Sequence, residues 1–331
     1  MRLLLLAIVI AAVLGGGAWL EYSHFASTPI HLDTQSVVVE IPRGTSLREL
    51  SENLAARGIV RNAYLFIALA RITGDGSQIQ AGEYAVRTGI TPRQLIALFV
   101  SGKVIQHAVT IIEGWTFRQA FAAIEVDDRF VKKLEGVSCD ELMARLGDPG
   151  QKPEGRFFPD TYYFTKGTTD IEILRRAHRT MAAVLEEEWA GRVPGLPLSS
   201  PDDALILASI IEKETALPSE RSRVAGVFER RLALGMRLQA DPTVIYGLSN
   251  AYDGDLTKAD LAENTPYNTY LHAGLPPTPI ALPSRASIHA AVHPAPGDSL
   301  YFVARGDGTH QFSATLEEQN AAVRRYQVGA R

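Results

Sequence analysis

The stretch Ser199-Ser-Pro-Asp-Asp-Ala-Leu-Ile-Leu-Ala-Ser-Ile-Ile-Glu-Lys-Glu-Thr215 governs the reading of the whole chain. Ser200 can cap a helix, Pro201 fits a first turn, and Asp202 and Asp203 suit the positive N-terminal end. From Ala204 to Ile211 every residue except Ser209 is apolar, which marks a helix inside a core rather than on a surface. Glu212 and Glu214 then follow while the helix is still running. A carboxylate carried into a core is costly unless it is paired, protonated or functional.

A helical projection separates the two acids. With Leu205 at zero, Glu212 falls at roughly 340°, beside Leu205, Ala208 and Ser209, and Glu214 at roughly 180°, beside Leu207 and Ile210. Only the Glu212 face carries small residues, which leave space above a carboxyl. A carboxyl in such a pocket has a raised pKa and can hold a proton for general acid catalysis. Glu212 is therefore the catalytic candidate, ahead of Glu214. The plain alternative for either acid is an ion pair with Lys213, Arg221 or Arg223.

Around this helix lies a chain of 331 residues, 46% hydrophobic, long enough for two domains. A net charge of -4 and the absence of a basic run give no case for nucleic acid. The one cysteine, Cys139, excludes an internal disulfide or a cysteine cluster. No Gly-rich phosphate loop and no G-x-S-x-G elbow occurs, and Ser209 and Lys213 do not have the spacing of an S-x-x-K acyl-transfer site. His289 and His293 have ligand spacing on a helix, but no Glu of an HExxH pattern lies between them. No metal and no cofactor is expected.

Leu3 to Leu20 is uncharged and 18 residues long, enough to cross a bilayer as a helix. Gly15 to Ala18 offers small residues for signal cleavage. The lack of an Ala-x-Ala site, with Trp19 and Tyr22 as interfacial anchors, favours a retained span. Arg2 on the short side places the bulk of the protein outside the cytoplasm. Residues 1–22 are read as cytoplasmic tip and anchor, and 23–36 as a tether without periodicity.

An internal repeat follows. Val37–Arg48, Tyr84–Arg93 and Val109–Arg118 each read as strand, Gly turn and helix start, and share Gly-x-Ser/Thr-x-Arg. The first copy, Gly44-Thr-Ser-Leu-Arg-Glu-Leu50, is similar to the opening of LysM-type modules, which bind N-acetylated wall sugars; a spacer without a ligand is the alternative. Residues 37–106 are expected to form this small α/β module and 107–331 a larger mixed α+β domain, an α+β chain overall. In the second part, Arg156-Phe-Phe-Pro-Asp-Thr-Tyr-Tyr-Phe164 reads as core or as a sugar-stacking wall. Gly274 to Pro283, rich in proline, reads as a stiff loop packed down by its Leu and Ile. Gly306-Asp-Gly308 marks a hairpin.

Several long motifs occur in order: Leu207–Thr215, Met236-Arg-Leu-Gln-Ala-Asp-Pro-Thr-Val-Ile-Tyr-Gly247, Tyr267-Asn-Thr-Tyr270 and Gly274-Leu-Pro-Pro277. Together with Phe158–Tyr162 and His293-Pro294 they resemble the endolytic murein transglycosylase, or YceG-like, family along nearly the whole chain. Ala240 and Thr278 replace other small residues, a mild departure. The resemblance implies a lyase of the bacterial inner membrane, single-pass, with its catalytic domain periplasmic. It would cut nascent peptidoglycan strands between N-acetylmuramic acid and N-acetylglucosamine, leave 1,6-anhydro ends, and work near peptidoglycan synthases. It makes Glu212 the acid and then the base, so the second carboxylate of ordinary glycosidases is dispensable. Glu214, Gln239, Asp241, Tyr246, Asn268 and Tyr270 are expected around the groove as sugar binders or supports, although Asp241 could be only a helix cap and Tyr246 only core. A membrane-anchored wall-binding protein without turnover, and a hydrolase pairing Glu212 with Asp241, are the alternatives.

Overall fold

The computed structural model describes residues 2–328; Met1 and residues 329–331, the extremities of the expected anchor and catalytic domain, lie outside the described residues. The fold is mixed α+β. Its contacts divide the chain into one unit that runs to His107 and takes in Tyr163–Gly167, and a second formed by Ala108–Tyr162 and the chain from Thr168 onward.

The first unit opens with α1 (Arg2–Ser27), of which Leu4–Ser27 is long and apolar enough to cross a membrane. The helix does not stop where the tether was expected to begin. Residues 23–27 continue it, and Tyr22, Phe25, Ala26 and Ile30 are buried in the core of the unit. The end of a helix that touches a core for little more than a turn leaves no periodic signature in its sequence. β1 (Ser36–Ile41) and β2 (Gly82–Arg87) pair antiparallel, from Ser36 opposite Arg87 to Ile41 opposite Gly82. Between them run α2 (Leu47–Ala56) and α3 (Ala63–Ile72), and α4 (Pro92–Ser101) follows. Val39, Leu54, Phe66, Leu69, Tyr84, Leu95 and Phe99 are fully enclosed between sheet and helices.

The repeat read from sequence is built as expected. Its turns carry Gly44, Gly89 and Gly114 at φ of 85°, 87° and 76°, the left-handed region that glycine enters without strain. Ser46, Thr91 and Thr116 then cap the helices that follow, and at Thr91 and Thr116 a glutamine three residues on completes a capping box.

The second unit holds β3 (His107–Thr110) after its first residue, α5 (Phe117–Glu125), α6 (Cys139–Leu146) and the start of β4 (Thr161–Phe164). α7 (Asp170–Ala190), α8 (Pro201–Glu214), α9 (Arg221–Ala233), α10 (Asp241–Leu248) and α11 (Lys258–Ala262) follow. α12 (Arg285–Val292), the hairpin β5 (Tyr301–Ala304) and β6 (His310–Ser313), and α13 (Leu316–Val323) complete it. α8 is the central rod. Ser200 caps it by accepting from Asp203 N, Pro201 is in its first turn, and Ala204 through Ile211 are all buried. α7, α9, α10 and α12 surround it. The proline-rich loop is packed down, with Ile280, Ala281 and Leu282 at 2% exposure or less.

That loop accounts for the small residues on one face of α8. Ser209 is buried; its hydroxyl donates to the Ile206 carbonyl at 2.7 Å and accepts from Ile280 N at 3.0 Å. The room above Ser209, expected to be ligand space, is taken by this extended chain. One further site shows how tight the packing is. Gly155 has φ 81°, and a Cβ there would lie 2.4 Å from Pro279, so only glycine fits.

Candidate active site

Glu212 sits in the last turn of α8, where the helix leaves the core, and its side chain is 6% exposed. Its Oε2 accepts from Ser284 N at 2.9 Å and from Ser284 Oγ at 2.5 Å. Its Oε1 lies 3.6 Å from Arg221 Nη2 at the start of α9. Ser284 is also the N-cap of α12, its hydroxyl accepting from Ser287 N. The carboxyl therefore meets the positive end of α12 and a guanidinium, and donors surround it instead of the apolar pocket expected. The ion pair with Arg221 that the sequence allowed is present.

The third copy of the repeat forms the facing wall. Gly114 N donates to Leu282 O at 2.9 Å, and Leu282 N donates to Trp115 O at 2.7 Å. These bonds seat the turn so that a Cβ added at Gly114 would lie 3.8 Å from Glu212 Cγ. Lys213 Nζ reaches the Gly114 carbonyl at 3.4 Å. The same strand–turn–helix that builds the first unit is used here to close on a carboxylate.

Glu214 points elsewhere. The helical projection set it against bulky core and the family resemblance set it around the groove; it lines a cavity of about 430 Å³ together with Arg231, Gln239, Asp241, Tyr270 and His310. Burial, and then the Asp241 carboxylate, push its pKa up to about 8, against the pull of Arg231. Arg231 is buried, and its guanidinium donates to the Leu300, Leu238 and Arg237 carbonyls. Gln239 stands at φ 53°, an uncommon backbone for a residue with a side chain, and its Oε1 accepts from Arg231 at 3.3 Å. Asp241 accepts from the Tyr270 hydroxyl at 2.5 Å, and burial raises the pKa of that phenol. Asp241 is not the helix cap: Ala240 holds that position, without a side-chain bond, and Asp241 begins α10.

The remaining two candidates lie apart from this cavity. Asn268 is fully buried; its amide donates to the Leu261 and Glu263 carbonyls, and its Oδ1 accepts from Tyr270 N at 2.9 Å. It holds the backbone that presents Tyr270. The Tyr246 hydroxyl donates to Glu154 Oε2 at 3.1 Å, with its ring against Tyr267. Glu154 was missed by sequence reasoning. It is 7% exposed, accepts from Phe117 N at 2.9 Å, and burial raises its pKa to about 7. It lies in the Gly/Pro-rich interruption at 147–155, where no periodicity signals burial; a carboxylate beside Gly155 was the one hint. Of the aromatics at 157–164, Phe157, Tyr162 and Phe164 are buried, and Tyr163 is exposed.

A model of the YceG-like family matches residues 39–325. The chain belongs to the YceG-like family. Among curated relatives, the endolytic murein transglycosylase of Bacillus subtilis is 31% identical over 94% of this chain and 90% of its own length. That of Streptococcus pneumoniae is 26% identical over 90% of this chain, which spans 60% of the pneumococcal protein. A solved structure of a YceG-like protein from Listeria monocytogenes superposes with a TM-score of 0.58 and 30% identity, covering 87% of this chain and 98% of that one. In this YceG-like chain, the matched segment takes in the Glu212 site, the Glu214 cavity and the Glu154–Tyr246 pair.

Proposed function

We propose that the chain is a peptidoglycan lytic endotransglycosylase, with Glu212 as acid and then base. The observation that carries this reading is the setting of Glu212. Its partners among the described residues are Ser284 and Arg221, which hold the nearly enclosed carboxyl at the end of α8. One carboxyl is sufficient for a reaction in which no water attacks. Glu212 gives its proton to the oxygen of the bond between N-acetylmuramic acid and N-acetylglucosamine as that bond breaks. It then takes the proton of the muramyl C6 hydroxyl, whose oxygen closes on C1 to form the 1,6-anhydro ring, and the proton count is restored. While the proton is away, Arg221 and the two Ser284 donors meet the charge on the carboxylate. Asp241, paired with Glu212 in the hydrolase reading, accepts from Tyr270 at the Glu214 cavity, and the ends of the cut strands separate the two readings.

Glu214, Gln239, Asp241 and Tyr270 then serve as a sugar subsite, with Asn268 behind it and Tyr246 supporting Glu154. The first unit, which carries the Gly44–Leu50 turn, is the LysM-like module that holds glycan. α1 crosses the bacterial inner membrane once, so that the second unit works on the periplasmic face, close to synthases of the same strands. Glu212→Gln tests the assignment. Cleavage of glycan strands by the variant falls by at least about a hundredfold, the loss expected for a general acid–base, with the melting temperature unchanged. A variant that keeps most of the cleavage rate removes Glu212 from the chemistry.

A further inference from the structure

His289 and His293 have no partner near them in sequence to complete a ligand set. The fold brings one from α7. Glu188, with its side chain 12% exposed, lies beside both rings, and one ligand atom from each of Glu188, His289 and His293 falls within 4.8 Å of the other two. The imidazoles stack, with centroids 4.2 Å apart and planes 16° from parallel.

Outer hydrogen bonds select the ligand atoms. His293 Nε2 lies 2.9 Å from the Gly191 carbonyl, which can only accept, so Nε2 carries the proton and Nδ1 keeps a lone pair. Nδ1 lies 3.3 Å from the His289 carbonyl, a longer approach to a second acceptor, and a neutral ring, which has one proton, gives it to the nearer. Arg285 Nε holds Glu188 Oε1 at 2.8 Å, which leaves Oε2 for the cluster, 2.8 Å from His289 Nδ1. A histidine bonded through its far nitrogen to a carbonyl, and a carboxylate fixed through its far oxygen by a guanidinium, are the arrangements that orient ligands around an ion.

We propose that Glu188, His289 and His293 bind a divalent transition-metal ion of the zinc class. Two imidazole nitrogens and one carboxylate oxygen suit that ion and leave a fourth position, here facing an open cavity of about 710 Å³ that Arg221 also lines. On binding, the ion takes the place of the proton between His289 Nδ1 and Glu188. It ties α7 to α12, the helix whose cap residue, Ser284, holds Glu212. The site stands on its own geometry and is independent of the reading of Glu212.

The test uses the full chain without a histidine tag, in detergent and treated with chelator, titrated with zinc chloride by calorimetry and with cobalt(II) by visible absorption. One ion binds per chain, with the absorption of low-coordinate cobalt, and zinc raises the melting temperature. His289→Ala and His293→Ala each weaken binding by at least about tenfold. His289→Ala, at an exposed position, melts like the parent chain when zinc is absent and gains nothing when it is added. His31→Ala, outside the cluster, binds as the parent does. Absence of saturable binding, or unaltered binding by the double His289→Ala, His293→Ala variant, overturns the proposal.

Discussion

Ser284 carries two jobs at one atom: its hydroxyl caps α12 and donates to Glu212. Ser284→Ala removes both. Loss of the cap costs about 1 kcal/mol of stability. Loss of a bond to a charged group lowers the glycan cleavage rate by about ten- to a hundredfold. Ser200→Ala, which uncaps α8 and removes no bond to Glu212, is the control: it costs similar stability and leaves the rate alone. Equal rate losses in the two variants would mean that the serine at 284 matters only as a cap. At Glu214 the readout is pH. Its carboxyl rises from the ordinary 4.5 to about 8 on folding. Between those values the folded chain holds a proton that the unfolded chain has released. Stability therefore falls as pH rises through that window and levels off above it. Glu154, at about 7, and Glu229, at about 8, act in the same direction. Glu214→Gln removes one of these protons, so the drop in melting temperature from pH 5 to pH 9 becomes smaller than in the parent chain. An undiminished drop contradicts the burial assigned to Glu214. The place of Glu212 at the end of a buried helix was legible because that helix was apolar on all sides until it reached an acid. Ser284 and Glu154 were not, because their roles depend on chain brought together from distant positions, and neither residue type is unusual in a loop.

Elements were legible wherever local chemistry decides them. Ser200 and the three repeat caps were read correctly because capping is a contact between a side chain and the next turn. The β5–β6 hairpin around Gly306-Asp307-Gly308 was read correctly for the same reason. Asp241, for which a cap was the alternative reading, begins α10 behind Ala240 and accepts instead from Tyr270, far away in sequence. The proline-rich loop was read as packed, and what it packs on, Ser209, became visible only in three dimensions. Gly155 tests that packing. Gly155→Ala demands a left-handed φ from alanine and a Cβ 2.4 Å from Pro279. It should destabilise the second unit by about 1–3 kcal/mol in urea unfolding. A neutral variant would show that the loop is free to move off α8.

At the scale of the whole molecule, α1 has two sections with different surroundings. Leu4 to Leu20 has its large side chains exposed along the helix, whereas Tyr22, Phe25, Ala26 and Ile30 belong to the first unit's core. A chain that starts at Glu21 keeps that core and melts as the full chain does. A chain that starts at Asp33 loses four buried apolar residues and melts lower. If the two truncations melt together, residues 23–36 act as the tether that their sequence suggested. The long apolar helix was legible from composition. Its continuation into a folded unit was not, because nothing in residues 21–30 repeats.

The central claim, that one carboxyl at Glu212 cuts glycan by internal ring closure, is tested most directly by the ends it leaves. Purified peptidoglycan strands are incubated with the full chain in detergent, and the new ends are identified by mass spectrometry beside a Glu212→Gln control. The account predicts 1,6-anhydro-muramyl ends from cuts inside the strand, absent from the control. Reducing ends, or strands left uncut by the parent chain, would contradict it.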